Sequence, residues 1–183
     1  MYIGLNLMHI SRYDAGVGYY ARGLVRALMT AGSTHTFVLY GRKNYLNQFQ
    51  GSNVVIRGGR FFPDSRWLRI FWEQLVMGVD VRIRKPDVFH WLDYSRSLLT
   101  PGRGSIVTVH DLAFLRLQNI YDPGRRLYKR IMARASIGRA EAIIAVSEHT
   151  ARDIAELLYI PSERISVIPN GVDSAFRQLD SDI

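Results

Sequence analysis

The sequence predicts an α/β domain built on a doubly wound, mostly parallel sheet of about seven strands. Two observations carry that expectation. Seven short β-rich segments alternate with stretches of helical periodicity, and the central segments are nearly continuous in apolar character. Ile106-Val107-Thr108-Val109 and Ile143-Ile144-Ala145-Val146 have little of the polar alternation of a half-exposed strand, which suits parallel strands covered by helices on both faces.

The elements follow in order. Met1 to Leu7 lacks a basic stretch leading into a long apolar run, so it reads as a first strand, Tyr2 to Leu7, and not as a secretory leader; a cytoplasmic address follows. Ala21, Leu24, Val25 and Leu28 recur at helical spacing, and Gly32 stops that helix. Strands are expected at Thr36 to Tyr40 and Asn53 to Arg57. From Arg66 to Lys85 a helix places Leu68, Phe71, Trp72, Leu75, Val76 and Val79 on one face, with Trp67 and Ile70 off that stripe, so its outer face is unusually apolar. Asp87 to Leu92 and Ser105 to His110 read as the next strands. Tyr128, Ile131, Met132 and Ala135 mark a further helix, and Ala142 to Ser147 a further strand. Ala151, Ile154, Ala155 and Leu158 mark the last helix, with Ser147 as its N-cap and Glu148 in its positive first turn. Arg164 to Ile168 reads as the seventh strand. Asn170-Gly171-Val172-Asp173 reads as a turn, and Ser174 to Ile183 has too little apolar pattern for another element, so one domain is expected over residues 1–169.

Composition narrows the function classes. No run approaches the roughly 20 apolar residues of a membrane span. The absence of cysteine excludes disulfides, a thiol nucleophile and zinc-thiolate sites. The net charge of +8 comes from 21 Arg and 3 Lys, and is compatible with nucleic acid, an anionic membrane surface or a phosphorylated substrate. Such an arginine bias is equally the product of genomic base composition. Nucleic acid is disfavoured because the aromatic residues are scattered over core positions and not interleaved with arginine.

Three features carry chemistry. Asp14-Ala15-Gly16-Val17-Gly18-Tyr19 lies between the first strand and the first helix, where glycines and a helix N-terminus bring backbone N–H groups and partial positive charge to an anion such as a diphosphate. The other reading is a tight turn before a helix. Dinucleotide binding is disfavoured, because the loop is long and lacks a third glycine and an acidic ribose partner. His110, with Asp111 after it, ends an apolar strand; in open parallel sheets ligands bind outside the carboxyl ends of strands, although a strand-end hydrogen bond is the alternative account. His90 sits between Phe89 and Trp91 and is expected to be buried, while His9, His35 and His149 have no convergent partners in the sequence. The basic cluster Arg125, Arg126, Lys129, Arg130 and Arg134 lies along one helical flank, either a solvated face or a contact for phosphates or membrane. No metal-binding motif and no serine nucleophile elbow occurs.

Several segments together resemble the N-terminal domain of the retaining glycosyltransferase family 4 (group 1), especially its mannosyltransferase-like members. They are Ala15-Gly16-Val17-Gly18-Tyr19, Phe71-Trp72-Glu73-Gln74-Leu75, Asp87-Val88-Phe89-His90, Val107 through Phe114, Ala145 through Thr150, and Val167 through Asp173. The resemblance runs almost end to end and implies a Rossmann-like domain, the acceptor-side half of a GT-B enzyme, with residues 170–183 beginning an interdomain linker. It implies a nucleotide-sugar donor, GDP-mannose or UDP-glucose, and a glycan or lipid-linked acceptor, with no cofactor and no metal. His110 would contact the transferred hexose, and Gly16, Val17 and Gly18 would approach the donor diphosphate. Asp14, Tyr19, Asp111, Ser147 and Glu148 would support the cleft or acceptor. The donor-binding C-terminal domain of such an enzyme is not among these 183 residues, so the fragment alone is expected to be inactive. The alternative from another class is a non-catalytic module docking on a partner or on the inner face of the membrane through its Arg-rich helix and the apolar face around Trp67 and Ile70.

Overall fold

The computed structural model describes residues 1–14, 16–32, 34–59, 65–117 and 122–172. Ala15 of the glycine-containing loop and the segment from Asp173 to Ile183 lie outside the described residues. All seven expected strands form: β1 (Tyr2–Asn6), β2 (Thr36–Tyr40), β3 (Val54–Arg57), β4 (Val88–Trp91), β5 (Ser105–Val109), β6 (Ala142–Ala145) and β7 (Ile165–Val167). They make one sheet in the order β3-β2-β1-β4-β5-β6-β7, and every neighbouring pair is parallel. The order reverses between β1 and β4, which opens a crevice at the carboxyl ends of those two strands. Gly4 of β1 pairs with Phe89 of β4, and a Cβ at Gly4 would collide with the Phe89 ring; glycine is what lets that ring lie over the neighbouring strand.

The helices are α1 (Gly16–Ala31), α2 (Lys43–Leu46), α3 (Arg66–Phe71), α4 (Gly78–Arg84), α5 (Ala113–Arg116), α6 (Pro123–Arg139) and α7 (Glu148–Leu158). Burial divides them between the two faces of the sheet. Alternate residues of β2 point to opposite sides: Phe37 and Leu39 join Ala21 and Val25 of α1 and Leu46 of α2, while Val38 and Tyr40 join Met77, Val81 of α4 and Ala133 and Ile137 of α6. α1 stops at Gly32, whose N–H bonds the Leu28 carbonyl at 2.8 Å. Ser147 caps α7 by accepting from the Thr150 N–H at 3.1 Å, as its position predicts, and Asp122 caps α6 in the same way with Pro123 in its first turn.

One expectation fails in an informative way. The stretch from Arg66 to Arg84 is helical but not one α-helix: between α3 and α4 the residues Trp72–Met77 form a π-helical turn. The wider turn resets the 3.6-residue phase. Of the expected apolar stripe only Trp72 packs on the core, while Leu68, Phe71, Leu75, Val76 and Val79 are exposed. The buried face is carried by Glu73, Met77, Gly78 and Val81.

Candidate functional site

The loop after β1 is held from below by apolar side chains, since Leu7 and Ile10 are fully buried and Met8 nearly so. Its far end is tied by Asp14, whose carboxylate accepts from the Ser11 N–H at 2.7 Å and pairs with Arg22 of α1; Arg22 also donates to the Ser11 carbonyl at 2.9 Å. This clasp fixes where α1 begins. The two glycines of the loop then differ in role. A Cβ on Gly16 meets nothing within 4 Å, whereas one on Gly18 would lie 2.8 Å from Asp14 Oδ1. Gly18 therefore makes room for the Asp14 clasp, and Gly16 leaves the first turn of α1 open. Gly18→Ala is expected to cost about 1–3 kcal/mol by overpacking, read as a lower urea midpoint; Gly16→Ala, with open space around it, should shift the midpoint far less.

No acidic residue lies in the first turn of α1 itself, and the carboxylate of Asp14 just before it is paired with Arg22. That end opens on a cavity of about 560 Å³ at the carboxyl edge of the sheet. Gly16, Val17 and Gly18 line it together with His110 and Asp111, residues about 90 positions away in sequence. Arg42 and Arg69 add cationic side chains to the wall, and Asn170 adds a polar one. Asp111 is the one carboxylate among its described lining residues.

His110 follows β5 directly. Its Nε2 is 3.0 Å from the Leu92 carbonyl oxygen, which only accepts, so Nε2 is the donor of that bond. The Tyr20 ring of α1 meets the imidazole edge-on, with centroids 4.9 Å apart and an interplanar angle of 82°. Tyr20 is itself anchored, its hydroxyl lying 3.2 Å from Thr108 Oγ1, which is 2.8 Å from His90 Nε2. His90 is buried, as its aromatic neighbours predict, and burial, reinforced by nearby His110, pulls its pKa down to about 4, so it is neutral at physiological pH.

Of the remaining expected site residues Asp111 lines this cavity, while Asp14, Tyr19, Ser147 and Glu148 are not among its described lining residues. Asp14 serves the loop clasp and Tyr19 is exposed on α1. Asp111 accepts from the Ala113 N–H at 3.1 Å and so shapes the entry to α5. Ser147 bonds Thr150, whose hydroxyl reaches the His110 carbonyl at 3.3 Å, which links the start of α7 to the His110 backbone. Glu148 is exposed in the first turn of α7.

His9, for which the sequence shows no convergent partner, meets two here, Asp93 and Arg69, neither of which the sequence singles out. His9 lies 3.8 Å from Asp93, and both follow strands that flank the switch point. Burial lowers the His9 pKa; Asp93 opposes that shift, and Arg69 and His110 add to it. Arg69 of α3 approaches from the side. The strand-end rule that points to His110 applies equally to His9 and Asp93, but Arg69 has no such signal. Among the described residues no group of three or more side chains is arranged to hold a metal ion.

The parallel strand order, the cavity at the switch point and the open helix N-terminus on its wall define a Rossmann-like α/β domain with an anion-receptive cleft. The model of Glycosyltransferase Family 4 matches residues 15–176, and the chain belongs to that family. In fold it is similar to a glycosyltransferase from Rickettsia africae ESF-5, with a TM-score of 0.52 and 16% sequence identity over 94% of this chain and 44% of that one. This chain thus spans less than half the length of that protein. No curated protein sequence matches it significantly.

Proposed function

We propose that the protein transfers a hexose from a nucleotide-sugar, GDP-mannose or UDP-glucose, to a glycan or lipid-linked acceptor, and that this chain is the acceptor-side half of a two-domain retaining enzyme. The observation that carries this reading is the cavity where the first turn of α1, Arg42, Arg69 and His110 meet. A donor diphosphate suits the backbone N–H groups of Gly16 to Gly18 and the two arginines, since leaving-group charge grows during transfer and preorganised donors stabilise it. His110, with Nε2 committed to Leu92, offers Nδ1 to a hexose hydroxyl and fixes the ring's orientation. Asp111 and Ser147 support the loop and backbone that hold it. The test is transfer of labelled hexose from each nucleotide-sugar by the polypeptide of the complete reading frame, with these 183 residues alone as the arm expected to give none. Untouched donor in the full-length arm would sink the reading.

Contact with an anionic membrane is a second reading, compatible with the first, that the exposed apolar side chains favour. Trp67 is 65%, Phe71 55% and Ile83 72% exposed along α3 and α4, and Leu127 and Ile131 are exposed on α6 beside Arg130 and Arg134. No helix among the described residues is long and apolar enough to cross a membrane, so any contact is with the surface. The chain is expected to float with phosphatidylglycerol vesicles and not with phosphatidylcholine ones, and Phe71→Ser with Ile83→Ser to abolish flotation. Equal recovery on both lipids, or none, contradicts it.

A further inference from the structure

A second cavity, of about 510 Å³, adjoins the first and shares His9 and Arg69 with it. Its volume falls within the roughly 300–1,000 Å³ of ligand pockets. Glu73 of the π-helical turn lines it and is 2% exposed, with Oε1 unpartnered among the described residues, while the Asn6 side chain bonds the carboxylate from the β1 side. Such turns recur at functional sites because the extra residue re-aims a side chain. The same turn fixes the opposite wall. Gln74 donates to the Arg96 carbonyl at 3.1 Å and accepts from the Leu98 N–H at 3.2 Å, and its own carbonyl accepts from Ser97 Oγ at 2.7 Å. Buried Arg96 closes that loop by donating to the Thr100 hydroxyl at 3.0 Å and the Pro101 carbonyl at 2.9 Å. One segment, Glu73-Gln74, therefore aims a carboxylate into the cavity and clamps the loop carrying Asp93 and Tyr94.

We propose that this second cavity is the sugar-binding subsite of the acceptor, with Glu73 accepting a hydrogen bond from a hydroxyl of a neutral pyranose ring held between Trp67 and Tyr94. The proposal rests on the transferase reading above. A buried carboxylate oxygen without a donor is costly, and an incoming hydroxyl supplies the missing one. Three further charged groups on the wall are engaged: Asp122 caps α6, Lys129 lies over the Tyr94 and Phe114 rings at 5.7 and 5.0 Å, and Asp93 accepts from the Tyr94 N–H at 2.7 Å. On this wall the carboxyl groups Glu73, Asp93 and Asp122 are matched by Arg69, Arg125 and Lys129, a balance that suits a neutral ligand, whereas the first cavity sets Arg42 and Arg69 against Asp111. The aromatic walls suit the apolar faces of a sugar ring. Because the two cavities meet at His9 and Arg69, a sugar in this one and a nucleotide-sugar in the other bring acceptor and donor together there.

The test is ligand-observed NMR of this chain with the methyl glycosides of mannose, glucose, galactose and N-acetylglucosamine, and separately with GDP and UDP. At least one glycoside is expected to bind, and Glu73→Leu and Trp67→Ala each to weaken it by about tenfold. Trp67→Ala alters a largely exposed side chain, so it decides the matter if Glu73→Leu does not fold. Nucleotide binding should be unchanged in Trp67→Ala. Absence of binding by every glycoside, unchanged affinity in the folded variants, or displacement of the glycoside by GDP or UDP overturns the subsite. In the full-length protein, absence of hexose transfer with glycoside binding intact would count against the transferase reading alone; transfer with an acceptor KM unmoved by Trp67→Ala would count against the subsite alone.

Discussion

Glu73→Gln is expected to stabilise the fold at pH 8 by about 3 kcal/mol and to remove a fall in stability between about pH 4.5 and 7. Burial lifts the Glu73 carboxyl from its ordinary 4.5 to about 7; Arg69 and the Asn6 hydrogen bond oppose the shift and Asp93 adds to it. With the folded pKa above the unfolded one, the folded state holds the proton more tightly across that interval. Stability from this group is therefore complete below the unfolded pKa and is lost as pH rises toward 7, at about 1.4 kcal/mol per unit. Glutamine keeps the shape and has no charge to desolvate. His9 and His90 slope the other way, since burial lowers both, so their contribution falls as pH drops below 6.5. Urea unfolding of both chains from pH 4 to 8 isolates Glu73 as the difference. Parallel curves across the range would show that its carboxyl is not held protonated by burial.

The second large effect belongs to His110. In the full-length protein His110→Ala is expected to lower kcat by about 100-fold, the scale of losing one preorganised transition-state contact. Stability should change little, because the imidazole gives up one hydrogen bond to Leu92, worth about 1 kcal/mol, and an edge contact with Tyr20. A kcat within about threefold of the natural protein, with the same product, would mean that His110 ends the strand and nothing more.

The sheet is legible in the sequence because each strand is a short apolar run bounded by turn residues, and the parallel order follows from the helical stretches between them. The four-residue helices α2 and α5 escape notice because one turn has no period to detect. The segment from Arg66 to Arg84 misleads for a related reason: a helical stripe assumes a constant 3.6-residue phase, and the turn at Trp72–Met77 breaks it, so apolar side chains point outward and Glu73 inward. Of the candidate site, His110, Asp111 and Gly16 to Gly18 are placed near one another by the strand-end rule alone. Ser147 reads as a cap from its position before α7. Glu73 and Arg69 approach from a helix beside the sheet, and only the register of that helix brings them to His9 and Asp93.

Amide chemical-shift mapping of the 15N-labelled chain with UDP and GDP tests most directly the claim that the cleft at the carboxyl edge of the sheet receives the donor diphosphate. The predicted result is a saturable shift of the Gly16, Val17 and Gly18 amides and of His110, with Gly16→Asp abolishing it by placing a carboxylate at the helix N-terminus. Unmoved amides at those residues, or shifts confined to the cavity around Glu73 and Tyr94, would contradict it.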